Sequence, residues 1–169
     1  ARGRLEDEQA FVLHTYPFRD TSVIVEAFTR RYGRVGLIAK GAKRPKSPLR
    51  PALLAFQPLA LAWTGRGELG TLTRAESIGT ARTLSGVAMM CGYYLNELVL
   101  KLLQRDDPHE GLFNEYDRAL QALAAGEPTE AVLRRFELAL LREIGYGVQL
   151  ECEAERGTPL VAEERYVYW

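Results

Sequence analysis

Apolar and polar positions alternate with a period of two through roughly the first half of the chain, and from Ser85 onward the apolar ones recur every three to four residues. Alternation predicts half-buried strands, and the longer period predicts helices. Arg2 to Gln9 is polar and expected to fray, Ala10 to Thr15 supplies a first strand, and Tyr16-Pro-Phe-Arg-Asp20 breaks it. Thr21 to Thr29 is dense in β-branched residues (Thr21, Val23, Ile24, Val25, Thr29), which fit a pleat better than a helix. Gly33 closes a hairpin turn, and Arg34 to Lys40 follows as a third strand with Val35, Leu37 and Ala39 on its inner face. Phe56 to Thr64 places Leu59, Leu61 and Trp63 together, and Leu69 to Glu76 places Leu72 and Arg74 on one face. Short strands joined by tight turns, apart from one longer loop, predict a small closed barrel with an OB-fold as first choice.

After Ser85 three helices are expected. The first carries Val87, Cys91, Tyr94, Leu95, Leu98 and Leu102 on one stripe, widened by Met90 and Tyr93, and reads as central and mostly buried. Glu110 to Ala125 buries Leu112, Phe113, Tyr116, Leu120 and Leu123, and Gly126 closes it. Pro128 suits a first helical turn, and the third helix runs through Val132, Leu133, Phe136, Ala139, Leu140 and Ile144 to Gly145. The fold class is therefore α+β: a five-stranded OB-fold barrel over residues 1–80, a helical bundle over 81–147, and a segment at 148–169 that reads as an interrupted element ending in Tyr166-Val-Tyr-Trp169. Ala at position 1 is read as following a trimmed residue.

Charge changes this picture. The net charge is zero, but residues 1–85 carry 14 Lys and Arg against 7 Asp and Glu (+7), leaving 8 against 15 (−7) for the remainder. A polyanion answers to the local field rather than the sum, so the first half is the candidate polyanion-binding module. Lys43, Arg44, Lys46 and Arg50 fall in one acid-free stretch in which Gly41, Pro45 and Pro48 forbid a helix and keep the chain extended. Such a loop suits phosphate tracking, and Tyr16, Phe18 and Tyr32 at turns are candidates for base stacking, whereas Trp63 shares parity with core residues. Arg30, Arg31 and Arg34 form a second basic cluster at the hairpin.

Catalytic chemistry is thin. His14 and His109 have no second His or Cys nearby and read as structural or solvated, and Asp106-Asp107 as a solvated pair. Gly65-Arg-Gly-Glu-Leu-Gly70 matches a dinucleotide-binding pattern in name only, because strand rather than helix follows it. Cys91 and Cys152 lack metal-ligand spacing, and Cys91 falls in an apolar helical pattern as a buried thiol would; a reducing cytoplasm is the default. No apolar run reaches membrane-spanning length. On the third helix Arg134, Leu138 and Arg142 recur at spacing four with Leu141 beside them, and such a stripe either is a plain exposed face or receives an acidic peptide with a bulky apolar end.

Short motifs bring a family into view. Phe11-Val-Leu-His14, Asp20-Thr-Ser22, Phe28-Thr29, Gly33-Arg-Val35, Ala39-Lys-Gly-Ala42, Phe56-Gln-Pro-Leu59, Gly65-Arg-Gly-Glu68, Tyr94-Leu-Asn-Glu-Leu98 and Leu133-Arg-Arg-Phe-Glu-Leu-Ala-Leu-Leu141 with Gly145-Tyr-Gly147 resemble, in order, the bacterial RecO family. The resemblance implies a non-enzymatic recombination mediator without a cofactor, cytoplasmic and nucleoid-associated. Its OB-fold would bind single- and double-stranded DNA and anneal strands coated by single-strand-binding protein (SSB). With RecR it would help load RecA, and its helical part would take the acidic, Phe-ended SSB tail. Carried onto this chain, the DNA contacts are Arg34, Lys40, Lys43, Arg44, Lys46, Arg50, Arg66 and Arg74, and the tail contacts are Arg134, Arg135, Leu138 and Arg142. Some members hold zinc on four cysteines after the Gly-Tyr-Gly segment; Cys152 stands alone, so the chain resembles the branch without zinc. Family members also continue beyond residue 169. An RNA-binding OB module and a peptide-binding helical scaffold remain as alternatives.

Overall fold

A computed structural model of the chain describes residues 4–65, 68–147, 151–153 and 156–162. Five strands, β1 (Arg4–Phe18), β2 (Ser22–Thr29), β3 (Gly33–Ala39), β4 (Leu59–Thr64) and β5 (Gly70–Ser77), close into a barrel in the order β1-β2-β3-β5-β4. All pairings are antiparallel except β3 with β5, where Leu37 faces Gly70 and Ile38 faces Thr71. This is the OB-like closure the alternation predicts. Val25, Ala27, Val35, Leu37, Leu59, Leu61, Trp63 and Leu72 fill its interior, so Trp63 is a core residue.

Several sequence expectations are corrected by pairing. β1 begins at Arg4, not Ala10, because its polar start pairs with β4 (Arg4 with Thr64, Leu5 with Trp63). It also runs through Pro17, which faces Val23. Pairing with β4 stops at Ala10 and a single bridge from Val12 to Ala55 follows, so at Pro17 β1 has only β2 beside it, an edge position where proline is tolerated. β4 starts at Leu59, after Phe56 turns into the left-handed region at φ 68°. Leu72 and Arg74 do not share a face: Trp63 pairs with Leu72 but Ala62 with Arg74, and the extra residue, Thr73, is a bulge that buries Leu72 and exposes Arg74. Gly33 does close the β2–β3 hairpin, at φ 67°.

Three helices follow: α1 (Gly86–Leu102), α2 (Glu110–Ala124) and α3 (Thr129–Glu143). Pro128 is the residue before the first turn of α3 rather than inside it. Both α2 and α3 end in a paired backbone closure, with Glu127 N–H on Ala122 C=O at 3.0 Å and Tyr146 N–H on Leu141 C=O at 2.7 Å, made possible by Gly126 and Gly145 at positive φ. α1 is not buried all round. It buries Cys91, Gly92, Leu95, Asn96 and Val99, whereas Val87 (65 %), Met90 (69 %), Tyr93 (53 %) and Tyr94 (38 %) are exposed. Its sequence is apolar on both faces, so periodicity alone does not say which face meets the core.

The helices pack on the outer face of β1 and β2. Phe11 and Phe28, paired across those strands, meet Phe113 and Tyr116 of α2 at ring separations of 5.2–5.7 Å. A bulge between Val12 and His14 interrupts the β1–β2 register, and the Leu13 carbonyl beside it accepts the Asn96 side-chain N–H at 3.2 Å; Asn96 in turn accepts the Tyr116 hydroxyl. The chain after α1 crosses back to the barrel, where Asp106 N–H bonds Arg34 C=O at 2.8 Å and the Asp107 backbone lies directly against Gly33. His109 sits between Glu143 (2.9 Å) and Asp107 (3.1 Å), so the expected solvated pair is part of a structural contact.

Candidate nucleic-acid interface

The predicted basic residues separate into two groups according to what their charges touch. At the β2–β3 hairpin every arginine has a carboxylate partner. Arg31 donates from its backbone and its Nε to the buried Glu8, at 2.7 and 2.6 Å, and this contact raises the Arg31 pKa further. Arg30 lies 3.6 Å from Glu110 and over the Phe113 ring, and Arg34 lies 3.3 Å from the buried Glu26. Arg105, which crosses from the segment after α1, is the closer partner of Glu26; that hydrogen bond, above all other effects, holds the Arg105 guanidinium above its usual pKa. Arg74 is bound by Asp7, with Glu76 at 3.8 Å. Arg34 and Arg74, placed among DNA contacts from sequence, are thus ion-paired. These charges join parts of the protein to each other.

The loop after β3 differs. Lys40, Lys43, Arg44, Lys46 and Arg50 are all exposed, and among the described residues none of them has a carboxylate partner. The loop is not extended, as its prolines imply, but folds into successive turns: Arg44 N–H to Gly41 C=O at 3.0 Å, Ser47 to Arg44 at 3.0 Å and Ala52 to Leu49 at 3.1 Å. Proline suits such turns because its fixed φ and missing N–H are tolerated at their leading positions. Ala42 and Ala52 anchor the loop in the barrel core. Lys43 N–H bonds Thr21 C=O at 2.9 Å and its ammonium reaches Arg19 C=O at 3.2 Å, which ties the loop to the β1–β2 turn. The β4–β5 turn runs the other way: β5 is parallel to β3 from Leu37 and Gly70 onward, so Leu69 and Glu68 lie back toward Gly36 and Arg105 rather than toward Lys40. Arg66 belongs to that turn and lies outside the described residues.

Sequence reasoning missed Arg19. It is exposed at φ 55°, its guanidinium 5.2 Å from the centre of the Phe18 ring, and it joins the loop cations through Lys43. Its neighbour Asp20 cancels its charge in any sequence count. Of the proposed stacking aromatics, Tyr32 packs edge-on to Trp63 at 5.7 Å and belongs to the barrel end, whereas Tyr16 is exposed and Phe18 half-buried.

On α3, Arg134 (69 % exposed) is 2.8 Å from Glu137, which also accepts the Tyr94 hydroxyl of α1 at 2.7 Å. That hydrogen bond is the main reason the Tyr94 phenol is raised above its ordinary pKa. Arg135 and Arg142 are exposed and have no acid partner among the described residues, and Leu138 is half-buried. Arg135 therefore joins the stripe only at its edge, beside Glu115 and Arg118 of α2.

A cleft of about 250 Å³ between barrel and α2 is lined by Arg30, Arg82, Phe11, Phe113 and Asp117, with Arg82 on Asp117 at 2.7 Å. Among the described residues no group of His, Cys, Asp or Glu is placed to hold a metal ion, and no helix is long and apolar enough to cross a membrane.

Comparison with known proteins accounts for nearly the whole chain. Residues 4–81 match the family model for the N-terminal part of recombination protein O, and residues 84–169 match that for its C-terminal part. The DNA repair protein RecO of Aromatoleum aromaticum is 52 % identical over 167 residues, covering 99 % of this chain and 70 % of that protein. Those of Azoarcus sp. and Ralstonia nicotianae are 51 % and 50 % identical, with 69 % and 61 % of their lengths covered. With a barrel and helices in the order read from its residues, the chain belongs to the RecO family and so to bacterial DNA repair and recombination.

Proposed function

We propose that the chain is a non-enzymatic recombination mediator that binds single- and double-stranded DNA through the loop end of its barrel and anneals complementary strands coated by SSB. One observation carries this reading: Lys40, Lys43, Arg44, Lys46 and Arg50 are exposed and, among the described residues, without carboxylate partners, whereas Arg30, Arg31, Arg34 and Arg74 are ion-paired to acids. Unpaired cations release counterions from a phosphate backbone on binding, and paired ones must first break a bond. Arg19 extends the surface, and Phe18 and Tyr16 are the aromatics placed to stack on bases.

The helical part, in this reading, takes the acidic SSB tail along Arg134, Leu138 and Arg142, with Arg135 at the edge. RecR and, through it, RecA loading are the functional partners that family membership supports, with the cytoplasmic nucleoid as the place of action. The barrel and the helical part would act as separate binding modules. The test is annealing of SSB-coated complementary strands, followed by quenching of a dye pair, by the chain and its Lys43→Glu, Arg44→Glu, Lys46→Glu variant. Loss of annealing with a retained fold supports the assignment. Equal rates would move the DNA site elsewhere.

A further inference from the structure

The α1–α3 face carries a ligand-like contact of its own. Tyr94 lies on the exposed edge of α1 with Met90 and Val87 at helical spacing, and its hydroxyl reaches Glu137 of α3 at 2.7 Å. Glu137 simultaneously holds Arg134 at 2.8 Å. The Glu137 side chain is only 19 % exposed, so its carboxylate is fixed between a phenol and a guanidinium rather than free in solvent. Arg142, two turns along the same stripe, has no carboxylate partner among the described residues. From Thr83 to Asn96 the chain has no charged residue, so the exposed part of α1 offers apolar contact beside the arginines of α3.

We infer that Glu137 is a built-in competitor at the peptide site: pinned by Tyr94, its carboxylate occupies the Arg134 guanidinium that an acidic peptide must take. The inference rests on the reading of this face as an acidic-peptide site. A peptide with one carboxylate merely exchanges one ion pair for another and gains little. A peptide with several carboxylates can hold Arg142 with one while displacing Glu137 with the next, as its apolar end covers Tyr94 and Met90. Selectivity for strongly acidic partners then comes from a repulsive element as well as attractive ones.

The test uses the full chain and a fluorescein-labelled hexapeptide of three aspartates, two alanines and a C-terminal phenylalanine, read by anisotropy at low salt. Glu137→Gln keeps an acceptor for Tyr94 but removes the charge, and should tighten the peptide roughly two- to fivefold, the range expected for releasing one exposed ion pair. Glu130→Gln, the same charge change in the first turn of α3, should alter affinity far less, and the gain should vanish in an Arg134→Ala background. Unchanged or weaker binding by Glu137→Gln, or an equal gain from Glu130→Gln, overturns the competitor while leaving the peptide site standing. No binding by either the wild type or Glu137→Gln overturns both.

Discussion

Replacing Lys43, Arg44 and Lys46 by alanine tests the division between free and paired cations quantitatively. Each phosphate contact to a single strand contributes about −0.7 to the slope of log affinity against log salt, so five free cations supply about −3.5 and two supply about −1.4. Between about 50 and 200 mM salt, a change of roughly 0.6 in log salt, affinity from this loop should fall about 100-fold in the wild type but only about sevenfold in the triple variant. Arg74→Ala is the matched control: it removes a cation from the same barrel, but one bound by Asp7 and flanked by Glu76, so it should change the slope by less than about 0.3. The assay is anisotropy of a labelled oligothymidylate titrated at four salt concentrations, with circular dichroism to show that each variant is folded. An unchanged slope in the triple variant, or a loss from Arg74→Ala as large as one full contact, refutes the argument that pairing decides which cations bind.

Three further predictions concern the joint between barrel and helices. Gly33→Ala would drive a Cβ into the Asp107 carbonyl at φ 67°, and should cost roughly 2–4 kcal/mol in urea unfolding, whereas Gly126→Ala, at φ 77° with open space around it, should cost only about 1–2 kcal/mol; equal costs would remove the steric contact from the account. Asn96→Ala leaves the Leu13 carbonyl and the Tyr116 hydroxyl unpaired in the core and should cost roughly 2–4 kcal/mol, more than Tyr116→Phe, with the opposite order speaking against the relay. Burial holds the Tyr116 phenol protonated well above the ordinary value of 10.0, so above that pH the unfolded chain loses a proton that the folded chain keeps. Stability should therefore fall by about 1.4 kcal/mol per pH unit from this group once pH passes the unfolded pKa, and Tyr116→Phe should flatten the slope between about pH 10 and 11.5.

What could be read in advance depended on whether one residue's environment is local. The barrel was legible because alternation in Val35, Leu37, Ala39 and in Leu59, Leu61, Trp63 reports which face is inside, and each strand's inner face is set by its own pattern. Bulges were not: the extra residue at Thr73 is fixed by what β4 offers opposite, and it moved Arg74 to the other face. α1 misled because Cys91, Leu95 and Val99 on one side and Val87, Met90 and Tyr94 on the other are equally apolar, and long-range contacts decide between them: Phe56 against Gly92, and Asn96 with Leu13 and Tyr116. The basic loop was legible as a charge cluster and misread as extended, since turns and extended chain use the same prolines. Ion pairing was the least legible property, because Glu8 and Arg31, or Glu26 and Arg105, are far apart in the chain.

Those long-range pairs also limit where nucleic acid can sit. Barrels of this kind commonly bind a strand across the face of their second and third strands and the loops at its edges. Here much of the outer face is already used. Phe11, Leu13 and Phe28 lie under α1 and α2, and the Glu26 carboxylate of β2 gathers Arg34 of β3 and Arg105, while Arg105 lies across Gly36 and reaches the Glu68 carbonyl at 3.3 Å. Opening that face would separate the helices from the barrel and take from Glu26 its closer cation, Arg105, leaving only Arg34 at 3.3 Å. The end of the barrel where β3 leaves the sheet carries no such cost. The β1–β2 turn and the loop from Lys40 to Arg50 meet there, and the loop's cations are free to exchange water for phosphate. The helices thus do more than stabilise the barrel: by occupying one surface with ion pairs and aromatic rings, they leave the opposite loop end as the place where DNA binding costs no interface.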